Sequence, residues 1–343
     1  MNQQPLAIAA LGMMTSVGLN ARSSCAAMRA GIQNATETRF VAAGGEPLMG
    51  MQVPLERMWR GRSRLVRMLT PCIAECLAAV PGASFGPLPL LLCVAETGRP
   101  GRDDGLDDTL FHEIAAESAV EFSQSDSAVI PMGRAAIATA MVSARRILYE
   151  AGNEWALIAA TDSLLVGETL SALEDGDRLL SAENSNGFIP GEAAAAVLLR
   201  RGGAVDDPAL CLGVGMGTEH APIDSEQPLR ADGLVSAIRA ATIDAGCEFA
   251  QLDFRIADLT GEHYYFKEAA LAQSRLLRTT RGEFPLWHPA DCIGEVGASF
   301  GLIATGLAAT AFARGYSPGP LALVHSGSDA GARAAVILKS GRN

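Results

Sequence analysis

The sequence has few aromatic residues, no excess of basic residues and no hydrophobic run long enough to cross a membrane. Aromatic residues make up 5% of its 343 residues, so a hydrophobic interior must consist mainly of Ala, Val, Leu and Ile. The formal net charge of −11 disfavours binding to nucleic acid or to an anionic membrane, because phosphate contacts need a basic surface. No apolar run reaches about 18 residues, so the mean hydropathy of +0.20 indicates a buried core rather than a membrane span.

The sequence also lacks the cysteine pattern that is typical of disulfide-bonded or zinc-binding proteins. The seven cysteines are odd in number and form no CxxC motif, which indicates a reducing compartment. Cys72 and Cys76 are four residues apart on a predicted helix, but no His pair accompanies them, so we expect buried thiols rather than a zinc site. No basic residue precedes the N-terminal apolar run, which we read as a strand and not as a signal peptide. We therefore predict a cytoplasmic protein with no metal and no cofactor.

Strands alternate with helices along the chain, which is typical of an α/β fold with a partly parallel sheet. Helices are predicted at 21–30, 62–80, 111–122 and 133–150, and strands at 5–14, 88–96 and 155–163. Gly187, Pro190 and Gly191 are read as the turn residues of a hairpin whose second strand is 193–200.

The second half of the sequence repeats the first. "GRAAIATAMVSARRILYEAGNEWALIAATDS" and "GASFGLIATGLAATAFARGYSPGPLALVHSGS" each contain a leading glycine, an Ala-rich helix, a closing glycine and an apolar strand. A second pair of segments, which contain "ALGMMTSVG" and "CLGVGMGTE", comes earlier in each half. Because two elements recur in the same order, we predict a duplication with an N-terminal half at 1–203 and a C-terminal half at 204–343.

The segment 125–152 has the strand–turn–helix form of an elbow that holds a nucleophile at a helix N-terminus. Backbone amides favour an anion at such a position. Here the turn consists of Ile130, Pro131 and Met132, and no Cys, Ser or Thr lies between Ala128 and Ala138. The elbow therefore contains no nucleophile, even if the expected nucleophile position is shifted by one or two residues.

Four further segments give the chain a family resemblance. "NGFIPGEAAAAVLL" is similar to the "DGFVxGEGAGVLVL" of the β-ketoacyl-[acyl-carrier-protein] synthases in the thiolase superfamily, and "DLTGE", "GEVGASFG" and "HSGSDAGARAAVIL" occupy the places of "AHGTG", "GHTxGAAG" and "NSFGFGGTNAxLVL". The resemblance spans nearly the whole chain. It implies a five-layered α-β-α-β-α fold from two duplicated halves, and a homodimer or a heterodimer with a related synthase.

The resemblance also implies where catalytic residues should lie. The family uses a Cys nucleophile and two histidines, and the matching positions here are Ile130, Thr260 and Glu295. The Lys that precedes the second histidine falls near Ala290, and the gating Phe of the last glycine loop near Asp329. We therefore predict no catalytic residue at the family positions.

Three residues near these positions are fallback candidates. His263 or His288 as a relocated acid or base, and Cys292 as a relocated nucleophile, are less favoured than plain loop or core residues. Glu295 is read first as a helix N-terminal cap and second as a base. Glu192 matches a structural Glu of the family and is given a role in the fold.

Arginines are concentrated in one segment of this acidic protein. "LERMWRGRSRLVRM" contains Arg57, Arg60, Arg62, Arg64 and Arg67. The segment is either a solvated or ion-paired helix face, or a patch that docks an acyl carrier protein or another acidic protein. In the family the acidic helix of the carrier protein docks near this segment, which favours the second interpretation.

Three functions follow as hypotheses. The first is a non-condensing pseudoenzyme, which acts as a partner subunit like the chain-length factors of fatty acid and polyketide biosynthesis, or as an adaptor beside type VI secretion effectors. The second is an acyltransferase of the 3-oxoacyl-carrier-protein synthase type, rebuilt around His263, His288 and Cys292. The third is a protein that binds an acyl or CoA-type small molecule.

Overall fold

A computed structural model describes residues 4–204, 207–278 and 282–341. The strands are β1 (Leu6–Met14), β2 (Thr36–Val41), β3 (Pro47–Gly50), β4 (Leu90–Cys93), β5 (Ala128–Ile130), β6 (Ala156–Ser163), β7 (Glu192–Arg201), β8 (Ala209–Thr218), β9 (Phe254–Ala257), β10 (Leu286–Trp287), β11 (Leu321–Gly327) and β12 (Ala332–Ser340). The helices are α1 (Ala21–Arg29), α2 (Gly61–Ala78), α3 (Asp108–Ser118), α4 (Ala136–Tyr149), α5 (Gly167–Asp175), α6 (Asp232–Ala245), α7 (His263–Leu276), α8 (Ala290–Ile293) and α9 (Phe300–Arg314).

Ten strands form two five-stranded sheets with the same topology, which join at one edge. The first sheet has the order β1-β7-β6-β4-β5 and the second the order β8-β12-β11-β9-β10. In each sheet the first two pairings are antiparallel and the last two are parallel. The sheets join where Leu6 and Ala7 of β1 pair with Cys211 and Leu210 of β8. This repeat supports two halves, and the boundary between 203 and 204 stays a prediction.

Helices lie outside and between the two sheets. Helix α2 packs on β1, β6 and β7, and α6 packs on β8 and β12. Helices α4 and α9 contact strands of both sheets and so form the middle layer. The five-layered α-β-α-β-α arrangement implied by the resemblance is therefore confirmed.

Small side chains allow the two middle helices to approach closely. Apolar residues of α4 and α9 belong to one buried cluster with the inner faces of both sheets. A Cβ atom on Gly301 of α9 would lie 2.5 Å from the Cβ of Ile137 in α4, so a larger residue cannot fit there without displacing a helix.

Each middle helix begins with a matching elbow. A 3₁₀ turn, Gly133–Ala135, precedes α4, and another, Gly297–Ser299, precedes α9. Gly133 has φ +53° and Gly297 has φ +55°, a left-handed conformation that favours glycine. A Cβ would also meet the Glu96 carboxylate at Gly133 and the Asp162 carboxylate at Gly297. The glycines that lead the two repeats are thus required by backbone geometry.

The hairpin predicted around 187–191 is wrong. β7 pairs with β6 and β1, and the chain reaches it from β6 through α5, which the sequence reading missed. The β2–β3 ribbon and helix α7 were missed as well. Within the described ranges, none of the helices is both long enough and apolar enough to span a membrane.

Candidate functional site

The first elbow presents an aliphatic side chain where its form predicts a nucleophile. Ile130, the last residue of β5, is buried in the core between the sheets. The turn is held by backbone hydrogen bonds, in which Met132 donates to the Ile130 carbonyl at 3.0 Å and Gly133 to the Val94 carbonyl at 3.1 Å. The elbow is therefore well formed, and its apex contributes to packing.

Arg134, which directly follows the elbow glycine, is buried and surrounded by acidic and phenolic groups. Its guanidinium donates to Glu295 at 3.0 Å and to the Tyr265 hydroxyl at 2.8 Å, and it also pairs with Asp329. Asp258 lies 3.7 Å away. Because a buried guanidinium needs counter-charges, these groups fix it beneath the elbow.

A second arginine extends the cluster. Arg178, in the segment after α5, donates to Asp329 at 2.9 Å and forms a two-pronged ion pair with Glu262. The Tyr265 hydroxyl donates to Asp329. We call Arg134, Arg178, Asp258, Glu262, Tyr265, Glu295 and Asp329 the elbow network.

Protonation in the elbow network follows from its charge balance. Burial raises the pKa of Glu295 to about 7, although Arg134 opposes the shift, and burial likewise raises the pKa of Asp258. Burial would also raise the pKa of Asp329, but Arg134 and Arg178 outweigh it and hold that pKa well below its usual range. With two arginines facing four acids, the network keeps Asp329 ionised, and the raised pKa of Glu295 brings the titration of that acid close to neutral pH.

Glu295 also orders the backbone around the second elbow. Its carboxylate accepts a hydrogen bond from the Gly297 amide at 2.8 Å, at the start of the turn that leads into α9. Its own amide donates to the Ile189 carbonyl at 2.9 Å, and its carbonyl accepts from the Gly191 amide at 2.8 Å. The carboxylate thus binds the first amide of the 3₁₀ turn and is the counter-ion of Arg134, whereas the N-cap residue of the turn is Val296 and that of α9 is Ser299.

A cavity of about 360 Å³ opens beside the elbow network. Its lining includes Arg134, Arg178, Glu295 and Asp329. Arg99, another lining residue, is held by an ion pair with Asp162 of 2.6 Å. The guanidinium groups that face the cavity are therefore already paired with carboxylates.

Thr260 follows β9 and carries no acid–base group. Its hydroxyl is buried and has no hydrogen-bond partner among the described residues. The next residue, Gly261, has φ +122°, and a Cβ there would lie 2.5 Å from the Gly187 carbonyl oxygen. The family positions Ile130, Thr260 and Glu295 thus carry an alkyl group, a hydroxyl and an ion-paired acid.

The fallback candidates do not join the elbow network. His263 is exposed at the start of α7, where its amide donates to Asn186. His288 and Cys292 line a different cavity, of about 500 Å³, that shares no lining residue with the first. Cys292 is buried, and burial raises the pKa of its thiol, which disfavours the reactive thiolate.

The arginine-rich segment divides into ion-paired and unpaired residues. Arg62 pairs with Glu113, and Arg67 pairs with Glu117. Arg64 holds Glu192, which is fully buried and also accepts from the Val53 amide at 2.9 Å. This buried pair corrects the reading of Arg64 as a surface residue.

The remaining two arginines of the segment are exposed. Arg57 and Arg60 make no ion pair with the described residues. Exposed Arg39 lies near Arg60, and its pKa is lowered by partial burial and by the charges of Arg60 and Arg64. Arg39, Trp59 and Arg60 line a small cavity together. The exposed group, Arg39, Arg57 and Arg60, is named the arginine patch below.

The sequence reading missed Arg134, Arg178 and Tyr265. Arg134 carried a signal, since a charged residue directly after the elbow glycine interrupts an otherwise apolar, Ala-rich segment. Arg178 and Tyr265 carried none, because they lie in polar stretches and approach Arg134 only in the folded chain.

Comparisons with known proteins identify the fold. A comparison with protein-family models finds no match, and neither does a comparison with the curated proteins. Among solved structures, the chain is similar to a ketosynthase (ApeO) in complex with its chain length factor (ApeC) from Xenorhabdus doucetiae, with a TM-score of 0.76, 15% identity and 98% of each chain covered. It is also similar to a type II PKS acyl-carrier protein in complex with its ketosynthase bound to the hexaketide (AntDE:AntF), with a TM-score of 0.81, 12% identity and coverage of 99% of this chain and 100% of that one.

A third solved structure gives the same result. The ishigamide ketosynthase/chain length factor matches with a TM-score of 0.78 and 16% identity, over 98% of this chain and 99% of that one. At such low identities the likeness concerns the fold. The chain therefore has the thiolase-like fold of the ketosynthases over nearly its full length.

Proposed function

We propose that this protein is a non-condensing ketosynthase-like protein that works as a partner subunit or an adaptor. The observation that carries the proposal is the elbow network. Arg134 lies directly after the elbow and is bound by Glu295 and Asp329, two positions where the family places a catalytic His and a gating Phe. Ile130 fills the nucleophile position with an alkyl group.

The chemistry of condensation supports this reading. Carbon–carbon bond formation from a thioester needs a thiolate to hold the acyl group and imidazoles to stabilise the enolate and the oxyanion. Loss of the nucleophile alone costs on the order of 10⁶-fold in a well-studied triad enzyme. Here an ion-paired acid and a hydroxyl stand where the two imidazoles would be, so the loss extends to every catalytic position.

Assembly with a synthase or a second copy fits an exposed strand edge. β5 is the last strand of its sheet, and the amide and carbonyl groups on its outer side lack a β partner among the described residues. Two of the similar structures are titled as ketosynthases with a chain length factor. We propose a homodimer or a heterodimer with a related synthase through this edge. Light scattering that gives a dimer mass at micromolar concentration identifies the homodimer.

The arginine patch is the proposed docking surface for an acidic protein, such as an acyl carrier protein. Arg39 and Arg60 repel one another on a chain whose net charge is −11, exposed Arg57 adds a third positive charge nearby in the sequence, and an acidic partner would relieve the repulsion. The ion-paired arginines, Arg62, Arg64 and Arg67, have carboxylate partners of their own and are not part of the proposed docking surface.

Small-molecule binding is the second candidate, and the cavity of about 360 Å³ beside the elbow network favours it. An acyl or CoA-type ligand would enter beside Arg178 and Leu173. The rebuilt acyltransferase receives no such support, because His263, His288 and Cys292 lie outside this cavity.

All seven cysteines are free, which is consistent with a cytoplasmic location.

Intact-mass spectrometry tests the proposal. The protein is incubated with an acyl-CoA, with an acyl-loaded carrier protein and with malonyl-loaded carrier protein. We expect no acyl adduct on the chain and no condensed product. A stoichiometric adduct, mapped to any residue, would replace the proposed partner role with acyl transfer. Reversible binding of the CoA compound without an adduct would support the second candidate.

A further inference from the structure

A further cavity, which shares no lining residue with the cavity beside the elbow network, lies where β1 separates from β8. The two strands pair only at Leu6 and Ala7, so the following residues of β1 have no strand beside them on that side among the described residues. Helices α1 and α9 form the walls of a cavity of about 840 Å³, which lies in the size range of ligand sites. We call it the α1–α9 groove.

The lining of the α1–α9 groove is mainly aliphatic. Ala9 and Leu11 of β1 are only partly buried there, whereas their neighbours Ile8 and Ala10 are buried. The rest of the apolar wall consists of Ala21, Ala26, Ala30, Pro208, Ala309 and Ala313. Small side chains leave room for an extended alkyl chain.

The groove has a basic end. Arg29 ends α1 and Arg314 ends α9, and both charges act on the hydroxyl of Tyr316. The Arg29 guanidinium lies 4.0 Å above the Tyr316 ring. Neither arginine forms an ion pair with another described residue. Two unpaired guanidinium groups beside a phenol are a recognition site for an anion.

The other end of the groove carries one acid and one base, Glu75 and the exposed Arg22. The Glu75 carboxylate accepts from the Ala21 amide at 3.0 Å and from the Met13 amide at 3.1 Å. Arg22 and Arg29 are seven residues apart on α1, which is about 10 Å along the helix axis. Because Glu75 offsets Arg22 at one end and no carboxylate lines the other, an anionic group in the groove is attracted mainly toward Arg29 and Arg314.

From this polarity we infer that the α1–α9 groove binds a single-chain anionic amphiphile, with its carboxylate or phosphate head on Arg29, Arg314 and Tyr316 and its alkyl chain along Leu11, Ala26 and Ala313. The inference is independent of the proposed partner role, since it uses none of the elbow network and none of the arginine patch.

Calorimetric titration below the critical micelle concentration tests the inference, with dodecanoate, dodecyl phosphate and dodecyltrimethylammonium as probes. We expect one anionic amphiphile to bind per chain, and the cationic one to bind at least tenfold more weakly. The relative affinities of dodecanoate and dodecyl phosphate identify the head group. Equal affinity for the cation, or binding of the protein to phosphatidylglycerol vesicles but to neither monomeric anion, would overturn the inference.

Substitutions locate the site. Arg29→Gln with Arg314→Gln should weaken dodecanoate at least tenfold, and Ala26→Trp should block it, because Ala26 is exposed on the groove side of α1 and the indole would occupy the channel. Arg146→Gln with Arg239→Gln, at exposed positions of α4 and α6, removes the same two charges elsewhere and should leave the affinity unchanged. If the two arginines only offset the dipoles of their helices, the double variant lowers the melting temperature and leaves the affinity unchanged, which would also refute the inference.

Discussion

Arg134 and Glu295 stand 161 residues apart in the chain and 3.0 Å apart in the fold. Arg134 follows the glycine of the first elbow, and Glu295 precedes the glycine of the second. Their ion pair therefore joins the two halves of the duplicated fold at the point where their middle helices begin.

Removing Arg134 should destabilise the protein strongly. Arg134→Met leaves the buried Glu295 and Asp258 without their cation and removes one of the two arginines that bind the half-buried Asp329, and breaking a buried pair costs about 3–5 kcal/mol. Denaturant unfolding measures the loss. Arg146→Met is the matched control, because Arg146 lies on the exposed face of α4 and its pair with Glu150 should contribute less than about 0.5 kcal/mol. Similar losses in both variants would mean that the elbow network does not stabilise the fold.

Glu295 should make stability depend on pH. Its pKa in the folded protein is about 7 against an ordinary 4.5, so between these values the folded state holds a proton that the unfolded state has released. Stability from this group is therefore present at low pH and is lost as the pH rises through 7. The full loss is on the order of 3 kcal/mol.

The Glu295→Gln variant isolates this contribution, because the amide cannot titrate. The difference in unfolding free energy between wild type and variant should shift in favour of the variant from pH 5 to pH 8. Glu268, whose pKa burial also raises to about 7, titrates in both proteins and cancels from the difference. A difference that is constant with pH, or that shifts in favour of the wild type, would show that Arg134 keeps Glu295 ionised throughout.

Much of the fold could be predicted from the sequence, because its two halves repeat the same elements in the same order. The repeated glycine, Ala-rich helix and apolar strand correspond to the two elbows with α4–β6 and α9–β11. Gly133 and Gly297 could be identified because positive φ and close carboxylates leave no room for another residue. Helix α5 was missed because its short polar sequence, 167–175, shows no clear apolar period, and the Gly and Pro residues after it suggested a hairpin.

Less of the elbow network could be predicted from the sequence, because its contacts join residues that are distant along the chain. The alignment pointed to Ile130, Glu295 and Asp329, but nothing local indicates that Arg134 and Arg178 converge on the two acids. The arginine-rich segment shows the same limit. Arg64 was read as a surface residue because its partner Glu192 lies 128 residues away.

Restoring the nucleophile alone should not restore condensation. Ile130→Cys places a thiol at the apex of the elbow, but the activation of malonyl groups still lacks both imidazoles, since Thr260 and Glu295 supply none. We expect malonyl-dependent condensation to stay undetectable, in a product assay with acyl- and malonyl-loaded carrier protein. Acylation of the introduced thiol without condensation would agree with this view. Condensation by the unmodified protein would contradict the proposed function directly.

Charge reversal in the arginine patch should abolish docking without unfolding the protein. Arg57→Glu with Arg60→Glu changes two exposed residues that have no ion-pair partner among the described residues, so the melting temperature should stay nearly constant. Binding of holo acyl carrier protein, measured by calorimetry at low salt, should weaken about tenfold or more, and wild-type binding should weaken as salt rises to physiological strength.

Arg201→Glu with Arg239→Glu makes the same charge change at exposed positions elsewhere and should bind like wild type. Arg64→Glu should instead lower the melting temperature, because it turns the buried ion pair with Glu192 into a repulsion. If the affinity for the carrier protein changes neither with salt concentration nor in the Arg57→Glu, Arg60→Glu variant, the arginine patch is excluded as the docking surface.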